Sequence, residues 1–236
     1  MTTPDRMDER LRALGLVEAQ RSAQAVFAQA ARRGLVAAGR SEDEVTDRIG
    51  DLAREVLGTR ARRPGRLVYS GPHTVLPCGG EPPLSDRVIG AGDTVVVRLG
   101  PLLAGYGTDF ARTLVLGEDP AKRRLCADLP EIFAGAREAF RADARMTGGE
   151  LYGEVRALAA KAGWALGGRH AGRLVGGAPD ANPAGEPADT YIGPDNDRPL
   201  RRTTADGWKA HWLLQVHLVD EHAGFGGSHV GLLDPA

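Results

Sequence analysis

Two oppositely charged residues stand out in the segment "VVVRLGPLLAGYGTDFARTL", where Arg98 and Asp109 are eleven positions apart. The run Val95 to Val97 and the run Thr113 to Leu116 flank a glycine-rich turn. Residues of this type on either side of a turn predict a hairpin-like pair of strands. The arginine and the carboxylate could therefore form a buried ion pair, or they could line a binding site.

Other side chains able to bind a ligand or move a proton lie in three further segments: His73, His170, Arg173, Asp180, Gln215 and His217. Side chains alternate along a strand, so Gln215 and His217 share one face of the predicted strand Leu213 to Val219. Cys78 could act as a nucleophile only with a neighbouring base to form its thiolate. In a Gly/Pro-rich loop, His73 and Cys78 are also compatible with purely structural roles.

The elements that would position these groups begin with two helices, which make up the N-terminal part of the chain at about 5–58. Residues 7–33 show a loose helical period of apolar residues that ends before Gly34. The second helix opens with a capping box of Ser41 and Glu44 and ends before Gly58. Short strands are then expected at Leu67 to Tyr69 and at Val88 to Ile89.

A second helix pair follows the predicted hairpin. Residues 120–142 are helical in pattern, with Pro130 expected to mark a break or a new first turn. The next helix opens with a capping box of Thr147 and Glu150. The order of elements along the chain is a helix pair, strands, a second helix pair and further strands. This order suggests an internal duplication around one curved antiparallel sheet. The fold class is therefore α+β, with a single domain over residues 1–236.

Composition narrows the functional classes. The chain has 236 residues, of which 42% are hydrophobic, and its 30 basic and 31 acidic side chains are interspersed. No nucleic-acid or membrane partner is predicted, since there is no like-charge block and no run of about 20 apolar residues. Two cysteines without a CxxC motif predict neither a disulfide framework nor a zinc site. A cytoplasmic location is expected.

The segment "GAGDTVVVRLGPLLAGYGTDFARTLVLG" resembles the M24 metallopeptidase family, whose pita-bread fold is shared by aminopeptidase P, methionine aminopeptidase, prolidase and creatinase. The family has a Gly-Asp turn, a strand with an aspartate, and a second aspartate eleven positions later in an Asp-x-x-Arg-Thr segment. Here Asp109 matches the second aspartate, but Arg98 replaces the first. The resemblance implies the pita-bread fold, with two helix pairs on the outer face of the sheet.

The same resemblance implies that other metal-ligand positions have also changed. In "GRHAGRLVGGAPD" the family's histidine ligand is replaced by Arg173, and a substrate histidine seven positions later by Asp180. Of the two glutamate ligands, one is Gln215, and the other falls at Val230 or Gly231. A further substrate histidine would fall at Leu76, close to His73 and Cys78. An arginine cannot bind a metal and repels one, so no family-type metal site and no cofactor are predicted.

These substitutions lead to a first hypothesis of a metal-independent enzyme. His170 and Asp109 would be catalytic, through histidine acid/base chemistry with a neutral imidazole. Arg98 and Arg173 would bind a small anionic substrate beside Gln215, His217, His73 and Asp180. Hydrolysis, elimination or cyclisation of an amide- or C–N-containing metabolite would fit.

Three alternatives stay open at this point. The first is a non-catalytic pseudopeptidase that binds a peptide or partner in the old cleft. The second is a metal-dependent Xaa-Pro-type aminopeptidase or dipeptidase. The third is a mononuclear metal site made by Asp109 with His217 and His229. Because relatives of this fold often dimerise, a homodimer is also expected.

Overall fold

The computed structural model describes residues 6–58, 65–76, 83, 85–103, 108–176 and 187–234. In chain order, the helices and strands of these residues are α1 (Arg6–Arg32), α2 (Glu42–Leu57), β1 (Val68–Ser70), β2 (Thr94–Arg98), β3 (Ala111–Val115), α3 (Pro120–Ala142), α4 (Gly148–Lys161), β4 (Ala165–Leu166), β5 (Gly172–Leu174), β6 (Trp212–Asp220) and β7 (Phe225–Leu232). The strands form one antiparallel sheet in the order β1-β2-β3-β7-β6-β4, and β5 also pairs with β6.

Both helix pairs cover the same face of this sheet. Val95 and Val97 of β2 belong to the apolar cluster of α1 and α2, whereas Leu214 and Val216 of β6 belong to that of α3 and α4. The strand register places Arg98, Ala111, Val230 and Gln215 in a row on one face of the sheet. Because side chains alternate along a strand, the four apolar side chains point to the opposite face. The expected α+β arrangement, with two helix pairs on the outer face, is confirmed.

The helices begin and end close to the predicted positions. Two predicted details, the capping box of α2 and the break at Pro130, differ. The Thr147 capping box is complete, but at α2 only Ser41 Oγ takes part, because the Glu44 carboxylate binds Arg48 instead. The predicted break at Pro130 is wrong, since α3 continues through it. A proline inside a helix costs about 3 kcal/mol, and the buried apolar face of α3 on both sides of Pro130 offsets this.

The strands differ more from the sequence prediction. Val88 makes only an isolated bridge with Ser41, not the predicted strand with Ile89. β7 lacks a clear strand pattern because Gly226, Gly227 and Gly231 interrupt it, yet it pairs with β6 over eight positions. At Gly227 a Cβ would lie 2.7 Å from Leu125 of α3. The glycine therefore permits the close approach of helix and sheet.

Among the described residues, no helix is both long enough and apolar enough to cross a bilayer.

Candidate functional site

A buried ionic cluster lies on the open face of the sheet: Arg98 is the last residue of β2, Arg173 is on β5, and Asp109 lies two residues before β3. Arg98 donates from Nε and Nη2 to Asp109 Oδ2, at 3.0 and 2.7 Å. The other oxygen, Oδ1, accepts from the Phe110 amide at 2.8 Å. Arg173 Nη2 lies 3.8 Å from Oδ2, beyond hydrogen-bond distance. Both predicted arginines and the predicted aspartate therefore meet.

The electrostatics of this cluster favour a charged Asp109. Burial alone would raise the pKa of this carboxyl, but the charges of Arg98 and Arg173 and the hydrogen bonds outweigh it, so the pKa is lowered. Asp109 therefore stays ionised at neutral pH and serves as a hydrogen-bond acceptor. Two guanidinium groups against one carboxylate leave one net positive charge among these three side chains.

Two residues that support Asp109 were not predicted from the sequence. Gln20 of α1 donates from Nε2 to the Asp109 carbonyl at 2.5 Å and to Thr108 Oγ1 at 2.9 Å. A Cβ at Gly100 would lie only 2.1 Å from Asp109 Oδ1, so this position requires glycine. The Gln20 contact spans 89 positions of the chain, and no local signal could have revealed it.

Gln215 and His217 lie on the open face, as the alternation predicts. Gln215 stands opposite Val230 in the β6–β7 register. His217 is 3% exposed, and its Nε2 lies 2.9 Å from the Thr74 carbonyl. A carbonyl only accepts, so Nε2 carries the proton and Nδ1 is unprotonated; Nδ1 has no hydrogen-bond partner in the described chain. Burial lowers the pKa of His217, which keeps the ring neutral.

His170 lies just before β5 and packs against the 190–193 segment. Its ring stacks on Tyr191 with 4.2 Å between centroids, and a Cβ at Gly193 would lie 2.6 Å from it. Burial, together with the charge of Arg169, lowers its pKa. Within the described part of the chain, His170 has no hydrogen bond to Asp109 or to any other residue, so the two groups predicted to share proton transfer are not in contact.

His73 belongs to a second buried cluster, centred on Glu42 in the first turn of α2. Glu42 has no exposed surface and accepts from the Ser70 amide at 2.5 Å and the Ser70 hydroxyl at 2.9 Å. His73 Nδ1 lies 2.8 Å from one Glu42 oxygen, and Arg66 Nη1 lies 2.9 Å from the same oxygen. His73 is therefore bound to Glu42, a carboxylate that was not predicted as a site residue.

Two of the predicted site positions fall outside the described residues: Asp180 and Cys78. The other cysteine, Cys126, is half-buried on α3, and burial raises the pKa of its thiol to about 12. It is therefore a protonated thiol at neutral pH, as expected for an unreactive cysteine.

The side chains at the family's ligand positions do not fit a pair of divalent ions. The register places Val230, not Gly231, beside Gln215 on the open face, so these two positions provide one amide and one hydrocarbon side chain. Arg98 already binds the one carboxylate, Asp109, and Arg173 adds a second cation. In the described residues, no three His, Cys, Asp or Glu side chains form a group able to hold a metal.

The structure also excludes His229 as a ligand in the alternative mononuclear metal site. His229 pairs with Val216 and points to the helix-covered face, where its ring lies 4.5 Å from that of Phe133. Burial, with the charges of Arg112 and Arg137, lowers its pKa to about 3. It therefore cannot join Asp109 and His217, which lie on the other face.

Comparison with solved structures supports the fold. An X-Pro aminopeptidase from Thermotoga maritima matches with a TM-score of 0.69 and 19% identity, over 98% of this chain and 62% of that one. A dipeptidase from Pyrococcus horikoshii matches with a TM-score of 0.69 and 22% identity, over 97% and 57%. A prolidase from Pyrococcus furiosus matches with a TM-score of 0.67 and 20% identity, over 98% and 61%.

This chain thus spans about three fifths of the length of those proteins. No curated protein sequence matches it. The family model of metallopeptidase family M24 matches residues 15–203, which is most of the chain. Together with the antiparallel sheet and its two outer helix pairs, this match shows that the chain belongs to metallopeptidase family M24.

Proposed function

We propose that this M24 chain is a metal-independent enzyme that acts on a small anionic metabolite with an amide or other C–N bond. The observation that carries the proposal is the cluster of Arg98, Asp109 and Arg173. Its net positive charge lies at the positions where the family would hold metal ions. Guanidinium groups suit a carboxylate or phosphate better than a neutral peptide bond. Gln215 and His217, on the same face, and Asp180 would complete the substrate site, whereas His73, also expected there from the sequence, is bound to Glu42 in the second cluster.

His170 is the proposed acid/base group. Its lowered pKa favours a neutral imidazole that can accept a proton near pH 7. Asp109 is bound to Arg98, so its contribution is a fixed negative charge that holds the arginine in place. Hydrolysis, elimination or cyclisation of the C–N-containing group are the reactions that such a site could support.

One observation favours a second candidate, a non-catalytic pseudopeptidase that binds a peptide or partner in the cleft. Both oxygens of Asp109 already accept hydrogen bonds, and His170 is not oriented by any described hydrogen-bond partner. Catalytic histidines are usually held by such a partner. This candidate retains the anionic ligand but includes no chemical step.

Substitution of His170 separates the two candidates. A panel of carboxylated amides is incubated with the wild type and with His170→Gln, and products are followed by mass spectrometry while binding is measured by calorimetry. Enzymatic function predicts a loss of turnover of about 10²–10⁴-fold with binding largely retained. His222→Gln, on an exposed turn, is the matched control. Unchanged turnover in His170→Gln would exclude His170 as the acid/base group, and binding without turnover in the wild type favours the pseudopeptidase.

Elemental analysis tests the remaining alternative, a metal-dependent Xaa-Pro-type aminopeptidase or dipeptidase. The purified protein is measured before and after incubation with manganese, cobalt or zinc, followed by removal of free metal. We expect less than stoichiometric metal in every sample. One or two tightly bound ions per chain, together with metal-stimulated cleavage of Xaa-Pro dipeptides, would overturn the metal-independent proposal.

A cytoplasmic location, a homodimer, and the absence of nucleic-acid and membrane partners stay predictions. Light scattering on the purified chain measures the oligomeric state directly.

A further inference from the structure

A pocket lies on the helix-covered side of the sheet, away from the ionic cluster. It has a volume of about 330 Å³ and lies where β6 begins, β7 ends and α3 ends. Trp212, in its wall, belongs to the apolar cluster of α3 and α4. The next residue, Leu213, faces the open side and stands opposite Arg173. The sheet therefore separates this pocket from the proposed substrate site.

The charges around this pocket are mostly positive. Arg201, Arg202 and Lys209 line it together with one carboxylate, Asp234, which leaves two net positive charges. Arg202 has Asp189 at 3.5 Å, but within the described part of the chain neither Arg201 nor Lys209 has a carboxylate at ion-pair distance. Burial lowers the pKa of Arg202, so its cation is incompletely solvated. An anion in the pocket would compensate these charges.

The two guanidinium groups are held in place before any ligand binds. Arg201 lies 3.9 Å above the Phe140 ring and donates from Nη1 to the Phe140 and Asp143 carbonyls, at 2.8 and 2.7 Å. Arg202 lies over the Trp212 ring and donates to the Asp189 carbonyl. These bonds fix both arginines and compensate their charge only in part, through the carbonyls at the C-terminal end of α3 for Arg201 and through Asp189 for Arg202. Binding an anion here would cost little side-chain entropy.

We propose that this pocket binds a small organic dianion, a phosphate monoester or a dicarboxylate with an apolar body. The anionic group would lie at Arg201, Arg202 and Lys209, three cations that face one lining carboxylate, Asp234, and the Arg202 partner Asp189. The apolar body would contact the two stacked pairs in the lining, Arg201 with Phe140 and Arg202 with Trp212. The volume lies at the lower end of the range for small-molecule sites, which suits a small metabolite.

Calorimetry at low ionic strength tests the site with three probes: phenyl phosphate, phthalate and inorganic phosphate. The first two distinguish phosphate from dicarboxylate with the same ring, and the third measures the contribution of charge alone. We expect at least one aryl dianion to bind more tightly than inorganic phosphate. Lys209→Gln, which replaces an exposed side chain, should weaken binding about tenfold. Lys161→Gln, at the exposed end of α4, should leave binding unchanged.

Three results would overturn this proposal. The first is no binding of either aryl dianion, and the second is binding that Lys209→Gln and Arg201→Gln both leave intact. The third is binding that Arg173→Gln abolishes while Lys209→Gln does not. That last result would place the anion in the open-face cleft, and it would support the proposed function instead. The two proposals can therefore fail independently.

Discussion

Two buried carboxylates, Asp109 and Glu42, lie in very different surroundings. Glu42 faces one arginine, Arg66, and otherwise accepts from the Ser70 amide and hydroxyl and from a histidine nitrogen. Asp109 has two arginines within 4 Å and one amide. The first cluster is close to electrically balanced, whereas the side chains of Arg98, Asp109 and Arg173 together carry one net positive charge.

This difference distinguishes a structural connection from a candidate binding site. Glu42 connects the first turn of α2 to the end of β1 through groups that are already satisfied. Arg98, Asp109 and Arg173 together, in contrast, carry one more cation than anion, and a buried cation is costly unless another charged group, a ligand or solvent compensates it. The charge balance, rather than the burial of the carboxylate, therefore points to Asp109 and its two arginines as the site.

The largest effect is expected when Asp109 is replaced by asparagine. Asp109→Asn would leave the buried Arg98 without its counter-ion, which typically costs about 3–5 kcal/mol. Chemical denaturation should therefore show a large fall in the free energy of unfolding. Asp206→Asn, on an exposed turn, is the control. The double variant Arg98→Met/Asp109→Asn has no cation at position 98. It should therefore recover at least half of the free energy of unfolding that Asp109→Asn loses. A loss equal to the sum of the losses in the two single variants would contradict a coupled ion pair.

Glu42→Gln should destabilise the protein by a smaller amount. Glutamine has one acceptor oxygen where Glu42 receives four donor groups, so about 2–3 kcal/mol should be lost through unsatisfied donors. No buried cation is left alone, because Arg66 also lies 3.1 Å from Asp43 and is partly exposed. The measurement is the same denaturation experiment, with the exposed Glu138→Gln as control. A loss as large as that in Asp109→Asn would contradict the distinction drawn between the two clusters.

The two clusters also show how far the sequence alone could lead. Capping residues and helical periodicity are local signals, and they predicted α1, α2 and α4 closely. β7 was not predicted because its glycines serve contacts with α3 and with Thr74, which are distant in the chain. Arg98, Asp109 and Arg173 were found by comparison with family motifs. Which of Val230 and Gly231 faces the cleft required the strand register.

The supporting contacts could not have been predicted at all. Gln20 is 89 positions from Asp109, and Glu42 is 28 positions from Ser70. Glu42 also reads as an ordinary acidic residue in the first turn of a helix, where it would be expected to face solvent. Only the folded chain shows that it is fully buried.

Of the three substitutions, Arg173→Gln should change the free energy of unfolding least. Arg173→Gln removes an attraction to Asp109 at 3.8 Å, but it also removes repulsion from Arg98, so the free energy of unfolding at pH 7 should change by no more than about 1 kcal/mol.

The effect of Arg173→Gln should appear in acid. Because the folded-state pKa of Asp109 is lowered, its stabilising contribution is present above the ordinary value of 3.8 and is lost as the pH falls through the folded-state pKa. Without Arg173, that pKa moves back towards 3.8 and the contribution shrinks. Denaturation measured at intervals below pH 5 should therefore show a smaller acid-induced loss of stability in Arg173→Gln than in the wild type. Arg145→Gln, which replaces an exposed arginine away from the cluster, is the control. Identical acid profiles for wild type and Arg173→Gln would mean that Arg173 does not act on Asp109, and the excess charge proposed for the cleft would lose its basis.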